Sequence, residues 1–152
     1  MIIALTYYAM QIRNQNKTRQ AQLLMQLYAH MREDKFNTQY TELAKYEWKN
    51  FDDFVAQLRD DYDFRAMLNY VCSFYEGVGV LVHRNLMDPR LVDDLMSSYI
   101  FLTWEKIGPY IKETRIRYNR PELWEYFEYL YEEIMKIYIQ EHGHRFSPIS
   151  LS

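Results

Sequence analysis

Residues 65–85 read Arg65-Ala-Met-Leu-Asn-Tyr-Val-Cys-Ser-Phe-Tyr-Glu-Gly-Val-Gly-Val-Leu-Val-His-Arg-Asn85. Away from the N-terminus, this is the longest mostly apolar run in the chain. From about Tyr62 to His83, residues such as Phe64, Leu68, Val71, Phe74, Tyr75, Val78 and Val82 cover most of a helix's circumference. A helix that is apolar all round must be buried on several sides. The run is therefore expected to be the central helix of an all-helical domain. One acid, Glu76, lies inside it, flanked by Gly77 and Gly79. In a helix each glycine costs roughly 1 kcal/mol against alanine, and it lets a neighbouring backbone come close.

Composition points the same way. The chain has 152 residues, enough for one domain with a sizeable core, and 49% of them are hydrophobic. Four Gly and four Pro are too few turn formers for a many-stranded sandwich or barrel. Fifteen Tyr supply side chains with an apolar body and a polar tip, suited to half-buried faces, interfaces and membrane boundaries. A net charge of −3 excludes a nucleic-acid binder driven by overall charge. Cys72 is the single cysteine and cannot form an internal disulfide; it reads as a buried reduced thiol.

Met1 to Met10 reads MIIALTYYAM, and a polar stretch follows with Arg13, Lys17 and Arg19 and no acid until Glu33. Ten apolar residues fall short of the roughly 20 of a membrane span. A signal peptide would carry its charges before the apolar core. Three readings of this start stand: the last half of a transmembrane helix, a short interfacial anchor, or a helix end packed on this domain or a partner. In the first two, Tyr7 and Tyr8 sit at headgroup level and Arg13, Lys17 and Arg19 face the cytoplasm.

The first helix is expected to run unbroken to Arg32, with Ala21, Leu24, Met25, Tyr28 and Met31 as its stripe and Leu23 and Leu27 widening it. A second helix is expected from Lys35 or Phe36 to Lys49, and a third from the Asn50 cap to about Leu58. Asp88-Pro89 starts another helix, which Gly108-Pro109 should end or kink. Asn119-Arg120-Pro121-Glu122 signals the last start, and His142-Gly143 its stop. The fold expected is a single helical bundle of about five or six helices with a long N-terminal helix. Residues 1–12 form a partial membrane anchor or interfacial segment, 13–145 the bundle, and 146–152 a flexible tail.

Few side chains are arranged for chemistry. A buried carboxylate must be paired or protonated, so Glu76 should meet an arginine such as Arg65, Arg115 or Arg117. Asn69, seven residues earlier, shares its face. Glu125, Glu128, Glu132 and Glu133 read as a solvated face or as partners of Lys112, Arg115 and Arg117. Glu141-His142-Gly143-His144 holds one Glu-x-x-His spacing, where a di-metal bundle site needs two. His30 and His83 lack ligand-spaced partners. Ser73, Ser97 and Ser98 lack a nucleophile-elbow context, and no Gly-rich phosphate loop is present. No catalytic, cofactor-binding or metal-binding residue is assigned, and no cofactor is expected.

The chain also resembles a known family. The motifs are Gln11-Ile-Arg-Asn-Gln-Asn-Lys17, Leu68-Asn69-Tyr70 with Phe74-Tyr75-Glu76-Gly-Val-Gly79, Trp104 with Gly108-Pro109-Tyr110-Ile111 and Arg115, and Tyr126-Phe127-Glu128-Tyr129-Leu130. Together they resemble the domain-of-unknown-function 4760 family of small prokaryotic helical proteins tied to the membrane by one N-terminal helix. The resemblance implies a membrane-anchored cytoplasmic helical domain and no activity. Members usually carry a full span, whereas this chain is expected to begin partway through one. Asn69, Glu76, Trp104, Arg115 and Glu128 are the polar and aromatic markers of this pattern and are expected to form an internal network joining the central helix to the last two.

The functional expectation is a membrane-associated interaction module on the cytoplasmic face. It would contact the membrane through residues 1–12, with a second copy or a membrane protein as partner and no nucleic acid. Its alternatives are an accessory subunit of a larger membrane complex, or a small-molecule sensor or enzyme with a pocket near Glu76.

Overall fold

A computed structural model describes residues 2–148, so Met1 of the expected anchor and residues 149–152 of the expected tail lie outside the described residues. The described chain is all-α, with six helices: α1 Ile2–Met31, α2 Asp34–Lys45, α3 Phe51–Asp60, α4 Tyr62–His83, α5 Pro89–Tyr118 and α6 Glu125–His142. Helix α4 packs against α2, α3 and α6, while α5 packs against α1, α3 and α6. The core follows the apolar pattern of α4, with Phe64, Val71, Cys72 and Tyr75 fully buried.

Capping explains the boundaries that match expectation. Asn50 accepts the Asp53 N–H at 3.0 Å and starts α3. Asp61 accepts the Phe64 N–H at 2.9 Å and starts α4. Asp88 accepts the Arg90 N–H at 2.9 Å, with Pro89 in the first turn of α5. Gly143, at φ 75°, closes α6 in the left-handed conformation that glycine adopts freely.

Three boundaries differ. Helix α2 stops at Lys45 and not at Lys49. Tyr46 turns extended, and Trp48 swings into an aromatic cluster, 5.0 Å from Phe54 and 5.2 Å from Tyr110. Tertiary burial of the indole outweighs another helical turn. Helix α5 runs through Gly108-Pro109 to Tyr118. A proline there costs about 3 kcal/mol, but Ile107, Gly108 and Ile111 are all buried, and this packing keeps the helix from ending at Gly108-Pro109. Finally, α6 starts at Glu125 and not at Asn119–Glu122. Asn119, at φ 50°, caps the end of α5 instead.

Helix α1 divides in two. From Gln20 onward it lies on the bundle, with Leu24 and Met31 buried and Leu23, Leu27 and Tyr28 packed on the core; Ala21 and Met25 stay exposed. Residues 2–19 are exposed throughout and form an arm. Among the described residues no helix is long and apolar enough to cross a membrane, so the expected transmembrane helix is not carried by them. At the other end, Phe146, expected in the tail, packs 4.9 Å from Phe101.

Candidate functional site

The polar centre of the bundle lies where α4 meets the start of α6. Trp124, the residue before α6, has φ 52° and offers no side-chain acceptor to the first amides. Those amides are unsatisfied within any helix. Glu76 of α4 supplies the missing acceptor: its Oε2 accepts the Phe127 N–H at 2.7 Å, from 51 residues away in sequence. The positive end of the α6 dipole favours a carboxylate at this place.

Gly79, one turn further along α4, makes this approach feasible. A Cβ built there would collide with the Tyr126 carbonyl oxygen and sit 2.6 Å from its carbon. Gly77, by contrast, faces open space. Only one of the two glycines therefore serves the close approach expected of both.

Burial pushes the Glu76 carboxyl above its ordinary value, and the nearby Glu125 adds to this. The amides of Phe127 and Tyr126, and the Arg115 charge, act the other way without reversing the shift.

Arg115 does not hydrogen-bond Glu76. Its Nε donates to the Leu123 carbonyl at 2.7 Å, and its Nη1 pairs with Glu128. Arg115 thus ties the end of α5 to the α5–α6 turn and to the first turn of α6. Lys112 adds a second ion pair to Glu128 at 2.8 Å. Burial works to raise the Glu128 pKa. The hydrogen bonds and charges of Lys112 and Arg115 together still hold it below the usual carboxylate value.

Trp104 is buried beneath this group, 4.9 Å from the Phe127 ring, with the Arg115 guanidinium 6.0 Å from its own. Gly108 leaves room for its indole, since a Cβ there would stand 2.8 Å from the ring. The structure therefore brings Glu76, Trp104, Arg115 and Glu128 around the start of α6. It does not bring Asn69 there. Asn69 is exposed and lines a shallow hollow with His30, Ala66, Tyr70, Ser73 and Phe74.

The other expected candidates are also placed. Arg65 donates to the Leu58 carbonyl, and Arg117 pairs with Glu113 and Asp52, so neither is the partner of Glu76. Glu133 pairs with Lys136 at 2.7 Å. His142 stacks on Tyr138 at 4.2 Å, and Tyr70 Oη lies 3.3 Å from His30 Nε2. His83 packs between Tyr126 and Tyr129. Among the described residues no three His, Cys, Asp or Glu side chains are grouped to hold a metal ion. Burial pushes the Cys72 thiol far up, which suppresses the nucleophilic thiolate.

A cleft of about 630 Å³ lies between α5 and α6, with Trp104, Met135 and Ile139 among its lining. Glu76 does not line it. The cations of its rim are already engaged: Lys112 with Glu128, Lys136 with Glu133, and Arg145 with the Tyr131 hydroxyl.

Sequence reading missed the backbone amides of Tyr126 and Phe127 as the partners of Glu76. No side-chain pattern reports a backbone donor. The one available signal was the absence of Ser, Thr, Asp or Asn immediately before Glu125. It also missed Asp93, which is buried with Oδ1 unpartnered and whose pKa burial pushes up.

A family model described as a domain of unknown function (DUF4760) matches residues 1–134, from the arm into α6. No curated protein and no solved structure matches the chain.

Proposed function

We propose that the chain, which belongs to the DUF4760 family, is a membrane-associated interaction module whose arm enters the lipid surface while the bundle stays outside it. The supporting observation is the state of the arm. Ile2, Ile3, Leu5, Met10 and Ile12 are 59–86% exposed and touch none of the bundle. Apolar side chains surround this part of the helix: at 100° per residue these five lie within one half-circle, and the exposed Ala4, Tyr7 and Tyr8 occupy the other. A single partner face would leave part of this surface in water, whereas lipid covers every side. Ile2–Ile12 measures about 17 Å, near half of the roughly 30 Å hydrocarbon layer. Arg13, Lys17 and Arg19 then meet the headgroups.

The polar centre has a structural role in this reading. Glu76, Arg115 and Glu128 are spent on holding α6, and the cleft of about 630 Å³ lies away from Glu76. That leaves the sensor or enzyme reading without a supporting observation. An accessory-subunit reading draws on the hollow of about 450 Å³ lined by Tyr28, Arg32, Asn37, Tyr40 and Tyr99, which offers a tyrosine-rich face to a protein partner.

Membrane fractionation of cells expressing the chain tests the proposal. The wild-type chain is expected with the membranes. The variant with Ile3→Asn, Leu5→Asn and Ile12→Asn is expected in the soluble fraction, with its helical content unchanged. Equal membrane recovery of both chains would overturn the proposal.

A further inference from the structure

Six basic side chains have no ion pair, side-chain hydrogen bond or aromatic contact among the described residues: Arg13, Lys17, Arg19, Lys49, Arg84 and Arg90. Five of these six gather at one end of the molecule. Gln20, at the base of the arm, accepts the Asp88 N–H at 3.0 Å. Further along, Tyr28 and Tyr99 line one hollow, so α1 and α5 run in the same direction from that hydrogen bond. The α4–α5 loop, residues 84–88, therefore sits where the arm leaves the bundle.

This loop is held in shape. The N–H groups of Leu86 and Met87 both donate to the Leu81 carbonyl, at 2.9 and 3.2 Å, and Met87 is buried. Leu86 beside it is 57% exposed, between Arg84 and Arg90. Asp88, the acid between the arginines, already accepts the Arg90 N–H as the α5 cap. Asp94 stands four residues after Arg90 and forms no ion pair with it.

We infer that Arg84 and Arg90 form, with Arg13, Lys17 and Arg19, a basic collar that binds anionic lipid headgroups and seats the bundle against the membrane. The inference rests on the arm reading above and adds a second contact and a lipid class to it. Distance permits the contact. Gln20 lies about 12 Å along the helix from Ile12, the last apolar residue of the arm. A headgroup layer of about 5–8 Å and a screening length of about 8 Å cover that gap. The arm alone would bind neutral and anionic bilayers alike through its apolar side chains. The collar makes the difference between them.

Flotation of the full chain with two vesicle types tests this. One type is phosphatidylcholine; the other is phosphatidylcholine and phosphatidylglycerol in equal parts. The wild-type chain is expected to bind both, and the mixed vesicles more tightly. The double variant R84Q/R90Q, whose replaced groups are exposed and unengaged, is expected to melt as the wild type does. It should bind phosphatidylcholine unchanged and the mixed vesicles about thirtyfold more weakly, in keeping with the pull of anionic lipid on each of two surface cations. At roughly 1 M salt, where screening acts within about 3 Å, the two chains should bind alike. Wild-type binding by R84Q/R90Q on mixed vesicles would overturn the collar and leave the arm standing. An equal loss on both vesicles would also overturn it, since charge would not be the cause. Failure of the wild-type chain to bind either vesicle would overturn the arm and the collar together.

Discussion

The Glu76 carboxylate accepts the Phe127 N–H at 2.7 Å, so a side chain from the middle of α4 caps the start of α6. Most helix caps come from the residue just before the helix. Here that residue is Trp124, which has no acceptor to give. The cap is thus also a tertiary contact, and α6 has a satisfied start only when it is docked on α4.

The size of that contribution can be measured. Glu76→Ala leaves the first amides of α6 without their acceptor and is expected to cost about 1–2 kcal/mol. Glu76→Gln keeps an acceptor oxygen and is expected to cost less. Urea unfolding of the three chains checks the order. Equal stability of wild type and Glu76→Ala would show that the cap carries no weight.

The two glycines of α4 are expected to respond in opposite directions. Gly77 faces open space, so Gly77→Ala gains helix propensity and should stabilise by about 1 kcal/mol. Gly79→Ala would drive a methyl group into the Tyr126 carbonyl and should destabilise by about 1–3 kcal/mol. Thermal melts of both variants decide the matter, and a shift of the same sign for both would contradict the close approach.

Glu128 and Glu76 should give stability opposite slopes with pH. The folded-state pKa of Glu128 lies below its unfolded value, so its contribution is present above about pH 4.5 and is lost as pH falls through the folded value. Glu128→Gln should flatten that acid limb and cost about 1.5 kcal/mol at neutral pH. The Glu76 pKa is raised instead, so its contribution is present below about pH 4.5 and is lost as pH rises through the folded value. Glu76→Gln should remove that decline. Unfolding free energies from pH 3 to pH 7 would show both slopes, and a Glu128→Gln profile parallel to wild type would refute the first assignment.

Cys72 is fully buried in α4, and burial raises its thiol pKa. Labelling by a thiol reagent should therefore proceed only through opening of the bundle. The logarithm of its rate should rise in Gly79→Ala in proportion to the lost stability. Rapid labelling of the wild-type chain under native conditions would mean that α4 is not the sealed centre of the core.

Much of this architecture was legible before any coordinates. Asn50, Asp88 and Gly143 sit at helix ends because capping acts over three or four residues, within reach of a local pattern. The end of α2 and the continuity of α5 through Pro109 were not legible, because Trp48 and Pro109 are settled by packing partners distant in the chain. In the polar centre, Trp104, Arg115 and Glu128 converge with Glu76 around α6, whereas Asn69 lies exposed outside it. Spacing of seven placed Asn69 and Glu76 on the same side of α4. It could not tell that the bundle covers one part of that side and leaves the other open.

By itself, the sequence determined the helical class, the central place of α4, and an apolar start followed by cations alone. All three are properties of periodicity and composition along the chain. Only the tertiary structure decided that Glu76 answers backbone amides and not an arginine, that Gly79 and not Gly77 admits α6, and that Arg84 and Arg90 stand at the base of the arm. Backbone donors carry no residue code, and nearness across 51 or 68 positions exists only once the helices have packed.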